Sequence, residues 1–379
     1  MIFTFRVAAC IALSCAMTPL AGLAQEAVQK EDPPAYLQQI RILKAQCDDR
    51  IQELSRTFEG DYSRAQTTDE RRRLMNAHRK EAAAILGPVA EKIFELVRSH
   101  ASDDSAVEPL IWIALQETQA GHDEKAAGLL TESHLRDRRV LDLAFSMRQS
   151  DRKWVVQMLR AQVGAADLPK GHRPMQMLAL AQALHAAAGR GADTEKLEEE
   201  AVQLFTELGQ EFGDLEYRGG ITFGELAKSS LFEIRNLSVG KVAPDIEGKD
   251  LEGVVFKLSS YRGKVVLLSF WASWCGPCMA QLPHELELAK QYEGRPFVLI
   301  GVNADYEKEA VTPLAQKRAI PSRSFWCGDQ GPLGPIPRAW NVINWPTVYV
   351  VDHKGVIRAK SLQDDAISQL VIQAENDLK

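Results

Sequence analysis

Two cysteines, Cys275 and Cys278, stand three apart with Gly276 and Pro277 between them. An apolar, β-branched run, Val265-Val266-Leu267-Leu268-Ser269-Phe270-Trp271, leads straight into them, and a helix-compatible stretch, Met279 to Tyr292, follows. A strand that ends in Cys-x-x-Cys at a helix start makes a reactive dithiol. The helix N-terminus presents unpaired N–H groups and a partial positive charge, and both favour a thiolate. Cys275 is therefore expected at that end with its sulfur exposed, its pKa lowered and a nucleophile's role. Cys278, one turn in, is placed to close a disulfide. Pro277 suits the first helical turn, where its missing N–H costs nothing. The rival readings of such a pair are a zinc half-site and a static disulfide. No second cysteine pair or nearby histidine pair completes a zinc site, so neither a metal nor any other cofactor is expected.

The elements that must position this pair lie on both sides of it. Before it, Pro244-Asp245-Ile246 and Gly253 to Leu258 read as a hairpin around Asp250-Leu251-Glu252-Gly253, and Ser259 to Lys264 as the turn into a strand over 264–271. After it come a helix (276–292), a strand (297–302), a helix (307–318), an extended piece (324–326) and a short helical turn (336–341). A strand (347–351), a turn at Asp352-His353-Lys354-Gly355, a strand (356–360) and a helix (364–378) finish the pattern. Strands alternating with helices and ending in a hairpin predict an α/β fold, a mixed sheet with helices on both faces.

The residues from Tyr36 to about Ile234 read differently. Val89, Ile93, Leu96 and Val97 share one helical face, as do Leu197, Ala201, Leu204, Phe205 and Leu208. Further apolar helical blocks are broken at Ala120-Gly121-His122, Gly171 to Pro174 and Gly189-Arg190-Gly191. No strand-like alternation is visible. Short helices joined by short loops predict an all-α domain of stacked helical hairpins, with no fixed repeat. The charged stretch from Arg64 to Glu81 reads as a solvated helix face.

At the start of the chain, Arg6, the apolar run Val7 to Leu20 and the small residues Ala21-Gly22-Leu23-Ala24 read as a signal peptide over 1–24. The expected units are then a helical domain over 25–236 and an α/β domain over 237–379. A membrane is a partner only if the N-terminal segment stays uncleaved. Of six cysteines, Cys10 and Cys15 fall in the signal, leaving Cys47, Cys275, Cys278 and Cys327. Four in so long a chain are no disulfide framework, though a Cys47–Cys327 bridge between the domains stays open. Export and a reactive dithiol together imply an oxidising compartment and a partner that keeps the pair reduced. The formal net charge of −6, with no Lys/Arg-rich block, argues against a nucleic-acid partner.

The segment from about Val239 to Lys379 resembles the TlpA/ResA-like branch of the thioredoxin superfamily and overlaps the wider AhpC/TSA redoxin grouping. Three features carry the resemblance: Trp274-Cys275-Gly276-Pro277-Cys278 after an apolar strand, the Ala243-Pro244-Asp245 … Leu258 to Lys264 lead-in, and Trp345-Pro346-Thr347 before a later strand. It implies a thioredoxin-like fold and dithiol–disulfide exchange with client proteins. Cys275 would attack and Cys278 resolve, with electrons from a separate donor. It also implies that Trp274, Gly276, Pro277, Trp345, a cis Pro346 and Thr347 bind or position the substrate, and the Gly-Pro dipeptide implies the reducing direction. Two departures stand out. Relatives keep an acid six residues before the first cysteine, here Ser269, or three after the second, here Gln281. The resolving thiol must then give its proton to water or to a more distant acid such as Glu285 or Glu287. His284 is a further residue able to tune the pair, against the plainer reading of an exposed helix histidine.

Two other functions compete. A thiol peroxidase of the AhpC/TSA type needs a Pro and a Thr or Ser shortly before its peroxidatic cysteine, and Phe270 to Trp274 offers no proline. Alternatively the helical domain is a partner-docking scaffold and the redox domain its accessory.

Overall fold

The computed structural model describes residues 33–65, 68–116, 120–169, 171–189, 194–309, 311, 323–362 and 364–378. The expected signal peptide, with Cys10 and Cys15, lies outside the described residues, as does most of the helix expected over 307–318 and part of the break at Gly189-Arg190-Gly191.

The N-terminal half holds nine α-helices among the described residues: α1 (Ala35–Arg64), α2 (Thr68–Val97), α3 (Val107–Leu115), α4 (His122–Ser133), α5 (Arg138–Ser146), α6 (Lys153–Gly164), α7 (His172–Ala188), α8 (Thr194–Phe212) and α9 (Phe223–Asn236). The apolar stripes seen in the sequence supply its core, including Ile93, Val97, Leu110, Met158, Leu184, Phe205 and Leu208. One expectation fails here. The first two helices are not short; each spans 30 residues. They form one antiparallel pair, closed where Tyr36 at the start of α1 stacks on His100 beyond the end of α2 (4.2 Å) and meets Ser105 at 2.6 Å. The half is the helical unit read from the sequence, with one short hairpin added. A hairpin of β1 (Glu216–Arg218) and β2 (Ile221–Thr222) turns on Gly219-Gly220, both at positive φ. Such a two-residue turn needs no hydrophobic alternation to form, so periodicity was blind to it. Thr222 then caps α9 in a reciprocal box with Glu225.

Helix α9 ends at Asn236, and the next residue, Leu237, is fully buried in the core of the C-terminal half. That half has a small hairpin, β3 (Glu247–Lys249) with β4 (Val255–Lys257), and a five-stranded sheet in the order β7-β6-β5-β8-β9. The strands are β5 (Val265–Trp271), β6 (Phe297–Asn303), β7 (Ser324–Trp326), β8 (Thr347–Val351) and β9 (Ile357–Ala359). β5, β6 and β7 run parallel, whereas β8 is antiparallel to β5 and to β9. β3 begins at Glu247, three residues later than the Pro244 to Ile246 strand read from the sequence. Asp245 explains the delay: its carboxylate accepts from the N–H of Ile246 and from the N–H and hydroxyl of Ser259, which pins that stretch as a turn.

Side chains alternate across β5 as a pleated strand requires. Val265 and Leu267 face helix α10 (Gly276–Gln291) and helix α12 (Asp364–Asp377), packing with Leu288, Ile367 and Val371. Val266, Leu268 and Phe270 face the lead-in hairpin and the short helix α11 (Pro335–Ala339), packing with Phe256 and Trp340. The sheet is mixed and covered by helices on both faces, as the sequence predicts.

Candidate active site

β5 is buried along its whole length and delivers the chain to the end of the sheet at Trp271. The turn that follows is held from the neighbouring strand. Asp305, just beyond β6, accepts from the N–H of Ser273 at 2.9 Å, from its hydroxyl at 2.6 Å and from Asn303 Nδ2 at 2.7 Å. Asp305 is missing from the sequence-based set of site residues. A signal existed, since a parallel strand after β5 must bring its own end residues beside the turn, and Asn303 is indeed the register partner of Trp271.

Cys275 is the N-cap of α10, and Gly276 and Pro277 open the helix. Its Sγ accepts from the N–H of Cys278 at 3.2 Å. The two cysteines are joined as a disulfide. The expectation of an exposed sulfur is not met: Cys275 is 5% exposed. Both cysteines belong to the buried apolar cluster that also holds Phe270, Trp271 and Trp340, with Trp345 packed against it, while Gly276 and Pro277 stay exposed.

The Trp345-Pro346 peptide bond is cis. Trp345 lies edge-on to Trp274 at 6.0 Å and to Phe270 at 6.3 Å. Trp274 is 50% exposed and forms an apolar rim beside the disulfide. Trp271 belongs to the core instead, its indole N–H donating to Ser324 Oγ at 3.1 Å. The Thr347 hydroxyl donates to the Asn344 carbonyl at 2.7 Å and closes the turn, and the Thr347 backbone pairs with Phe270.

The two departures noted in the sequence converge on one carboxyl. Ser269 Oγ donates to Glu285 Oε1 at 2.9 Å, and Gln281 Nε2 donates to the same oxygen at 2.6 Å. Glu285 is 4% exposed. Burial pushes its pKa above the usual carboxylate range, against the opposing pull of the two hydrogen bonds and of His284. On α10, Cys278, Leu282, Glu285 and Leu288 are the buried residues, so Glu285 shares the inward face with the inner cysteine. Glu287 is exposed. His284 turns outward and pairs with Asp364 at 3.0 Å.

Cys47 and Cys327 are both free thiols and both buried, so no disulfide joins the two halves. Burial pushes the Cys327 thiol up to about 12, a value at which almost no reactive thiolate exists near neutral pH. Burial, and then the charge of Asp48, raise Cys47 as well. Among the described residues no group of three His, Cys, Asp or Glu side chains converges on a metal position.

A five-stranded mixed sheet with a Cys-x-x-Cys disulfide at a helix N-terminus, beside a Trp-Pro turn, defines a thioredoxin-fold thiol–disulfide oxidoreductase. The model of the AhpC/TSA family matches residues 239–360. The thiol-disulfide oxidoreductase ResA of Bacillus thuringiensis subsp. konkukian is 32% identical over 143 residues, which cover 38% of this chain and 78% of that protein. The thioredoxin-like protein YneN of Bacillus subtilis is 34% identical over 122 residues, 31% of this chain and 68% of the relative. Among solved structures, the thioredoxin domain of a thiol-disulfide oxidoreductase from Bacteroides vulgatus is 26% identical with a TM-score of 0.33, covering 36% of this chain and 98% of that one. Through its C-terminal part, 38% of its length, the chain belongs to the ResA-like family of thiol–disulfide oxidoreductases.

Proposed function

We propose that the protein is an exported thiol–disulfide oxidoreductase that reduces disulfides in client proteins through Cys275 and Cys278. The observation that carries the reading is the position of Cys275 Sγ, at the N-terminus of α10 and in reach of the Cys278 N–H. A thiolate there gains a hydrogen bond and the favourable end of the helix dipole. Cys275 attacks one sulfur of a client disulfide, forms a mixed disulfide and releases the other client sulfur as a thiolate. Cys278 then loses its proton and attacks Cys275 Sγ. The second client sulfur leaves as a thiolate, the client disulfide is reduced, and the Cys275–Cys278 bond is formed. An external dithiol donor returns the pair to the reduced state. Glu285, buried on the same helix face, is the base we assign to the Cys278 proton. Trp274 and the Trp345-Pro346-Thr347 turn receive the client chain.

Export rests on the signal-like residues 1–24, and among the described residues no helix is long and apolar enough to cross a membrane. The reducing direction rests on the Gly-Pro dipeptide. The units we assign are a helical domain over 25–236 and a redox domain over 237–379. Peroxide reduction is the weaker reading, because the residues before Cys275 lack a peroxidatic pattern.

A Cys278→Ser chain tests the assignment. It should accumulate clients as mixed disulfides on Cys275, released by dithiothreitol, and Cys275→Ser should trap nothing. The measured potential should lie nearer about −270 mV, as in thioredoxin, than about −120 mV, as in strong periplasmic oxidants. Clients trapped equally by both variants would overturn the cysteine roles. A strongly oxidising potential would overturn the direction.

A further inference from the structure

We propose that the helical domain is a positioning element of the redox site, acting through a clamp of Ser229 and Glu233 on Asn341 and Lys360. The inference rests on assigning Cys275 and the Trp345-Pro346 turn to the reaction. Ser229 and Glu233 are four apart on α9, hence on one face of it. Both reach into the C-terminal half. The Ser229 hydroxyl donates to Asn341 Oδ1 at 2.5 Å. Asn341 Nδ2 points back to the Ser229 carbonyl at 3.5 Å and to Glu233 Oε2 at 3.4 Å. The other Glu233 oxygen, Oε1, accepts from Lys360 Nζ just past β9. One carboxylate thus holds two separate segments of the redox domain.

Asn341 sits where this matters. Among the described residues it is the non-glycine residue with positive φ, at 49°. Asparagine tolerates that region better than most residues do. It follows Trp340, which is fully buried, and precedes the turn that ends at Trp345 and Pro346. Beyond Asn341 the approach to the site has few anchors. Val342 is buried and donates its N–H to the Pro337 carbonyl at 2.9 Å. Ile343 is 79% exposed, and Asn344 is exposed.

A chain of ring contacts continues from the clamp to the dithiol. Lys360 Nζ lies 5.9 Å over Tyr349, whose ring meets Trp340 at 5.0 Å. Trp340 meets Phe270 at 5.7 Å, Phe270 meets Trp345 at 6.3 Å, and Trp345 meets Trp274 at 6.0 Å. Releasing Asn341 leaves the Cys275–Cys278 chemistry in place but frees the start of the turn on which a client must dock. The loss therefore falls on binding, and shows in KM more than in kcat.

The test uses the full-length chain. Asn341→Gly keeps the left-handed backbone without strain and deletes the side-chain bonds. Ser229→Ala cuts the same contact from the other domain, and Ser229→Thr retains the hydroxyl. With insulin as disulfide substrate and dithiothreitol as donor, both deletions should raise KM about three- to tenfold with kcat within about twofold, as expected for one or two lost hydrogen bonds. Ser229→Thr should keep the wild-type KM. The double variant should be no worse than the poorer single, because both changes break one contact. Hydrogen exchange over 341–346 should quicken in both. Wild-type KM in folded Ser229→Ala and Asn341→Gly chains, or losses that add in the double variant, would overturn the clamp. If Asn341→Gly does not fold, Ser229→Ala decides alone. A Cys275→Ser control, read against the rate with dithiothreitol alone, separates the two readings. If it adds nothing to that background, a wild-type KM in the clamp variants sinks the clamp alone; if it still accelerates insulin reduction above the background, the site assignment fails and the clamp with it.

Discussion

Glu285 is buried where its ionisation is costly, and on the proposed reading the same carboxyl serves as a base. A carboxyl 4% exposed, with hydrogen bonds from Ser269 and Gln281 to one oxygen, ionises reluctantly. Its folded-state pKa lies above that of the unfolded chain, with burial as the main cause. Between those two values the folded state binds more protons, so stability falls as pH rises through that window. Glu285→Gln removes the penalty. Denaturant melts should show the variant equal to wild type near pH 4 and more stable at pH 8 by about 0.5–2 kcal/mol, the usual size of one stabilising change. If Glu285 takes the Cys278 proton, the stabler variant should also release mixed disulfides more slowly. An unchanged or lowered stability at pH 8 would mean that the carboxylate is well solvated or well paired when ionised. Part of this arrangement was legible in the sequence. The neutral Ser269 and Gln281 were visible as departures, and the four-residue spacing of Gln281 and Glu285 places them on one helix turn. That Ser269 reaches the same oxygen was not legible, because it needs the packing of β5 against α10. Nor was the burial of Cys275 in a core that includes residues as distant in sequence as Trp340.

At the scale of elements, the sheet that carries the site was read nearly residue by residue. Its strands are short apolar runs bounded by turn residues, and those signals are local. The turn between β8 and β9 shows how much such a boundary can hold. Asp352 Oδ1 accepts from the N–H of Lys354 at 2.9 Å and of Val356 at 2.8 Å, and its Oδ2 accepts from Arg358 Nε at 2.7 Å. Burial opposes its ionisation, yet these donors outweigh burial and hold the carboxyl below the usual range. A depressed folded-state value contributes stability above the unfolded pKa, and that stability is lost as pH falls through the folded value. Asp352→Asn should therefore cost about 1–3 kcal/mol at pH 7, the range for hydrogen bonds to a charged, buried group. The difference from wild type should shrink steadily as the solution is acidified. A cost that stays constant down to pH 2 would point to shape, not charge, as what the turn requires. The β1–β2 hairpin and the delayed start of β3 escaped the sequence reading for a common reason. Both are set by backbone turns, through Gly219-Gly220 and through the Asp245 carboxylate, rather than by hydrophobic period.

For the whole molecule, the question is whether two cores behave as one. The helical half was legible as a class, since its apolar stripes repeat at helical spacing, but helix lengths and pairing depend on contacts that no local pattern encodes. Among the described residues, helix α9 runs from one core to the other. α9 buries Phe223, Ala227 and Ile234 in the helical core, and Leu237, three residues after Ile234, is fully buried in the redox core. The following residues continue the attachment along the edge of β9: Gly240 N–H donates to the Ile357 carbonyl at 2.8 Å, and Ile357 N–H to the Lys241 carbonyl at 2.9 Å. No slack separates the two cores, so unfolding one must pull on the other. Calorimetry of the wild-type chain should then show one transition. Leu237→Ala opens a cavity at the junction, with an expected cost of about 2–5 kcal/mol if the site relaxes little. It falls on the redox core alone, because Leu237 is packed there and not among the helices. The melt should accordingly split, with the redox half unfolding first and the helical half near its original midpoint. Two transitions already present in the wild-type chain would show that α9 links the cores without coupling them. A single transition in Leu237→Ala, merely shifted down, would show that coupling runs through Ser229, Glu233 and the β9 edge as strongly as through the buried leucine.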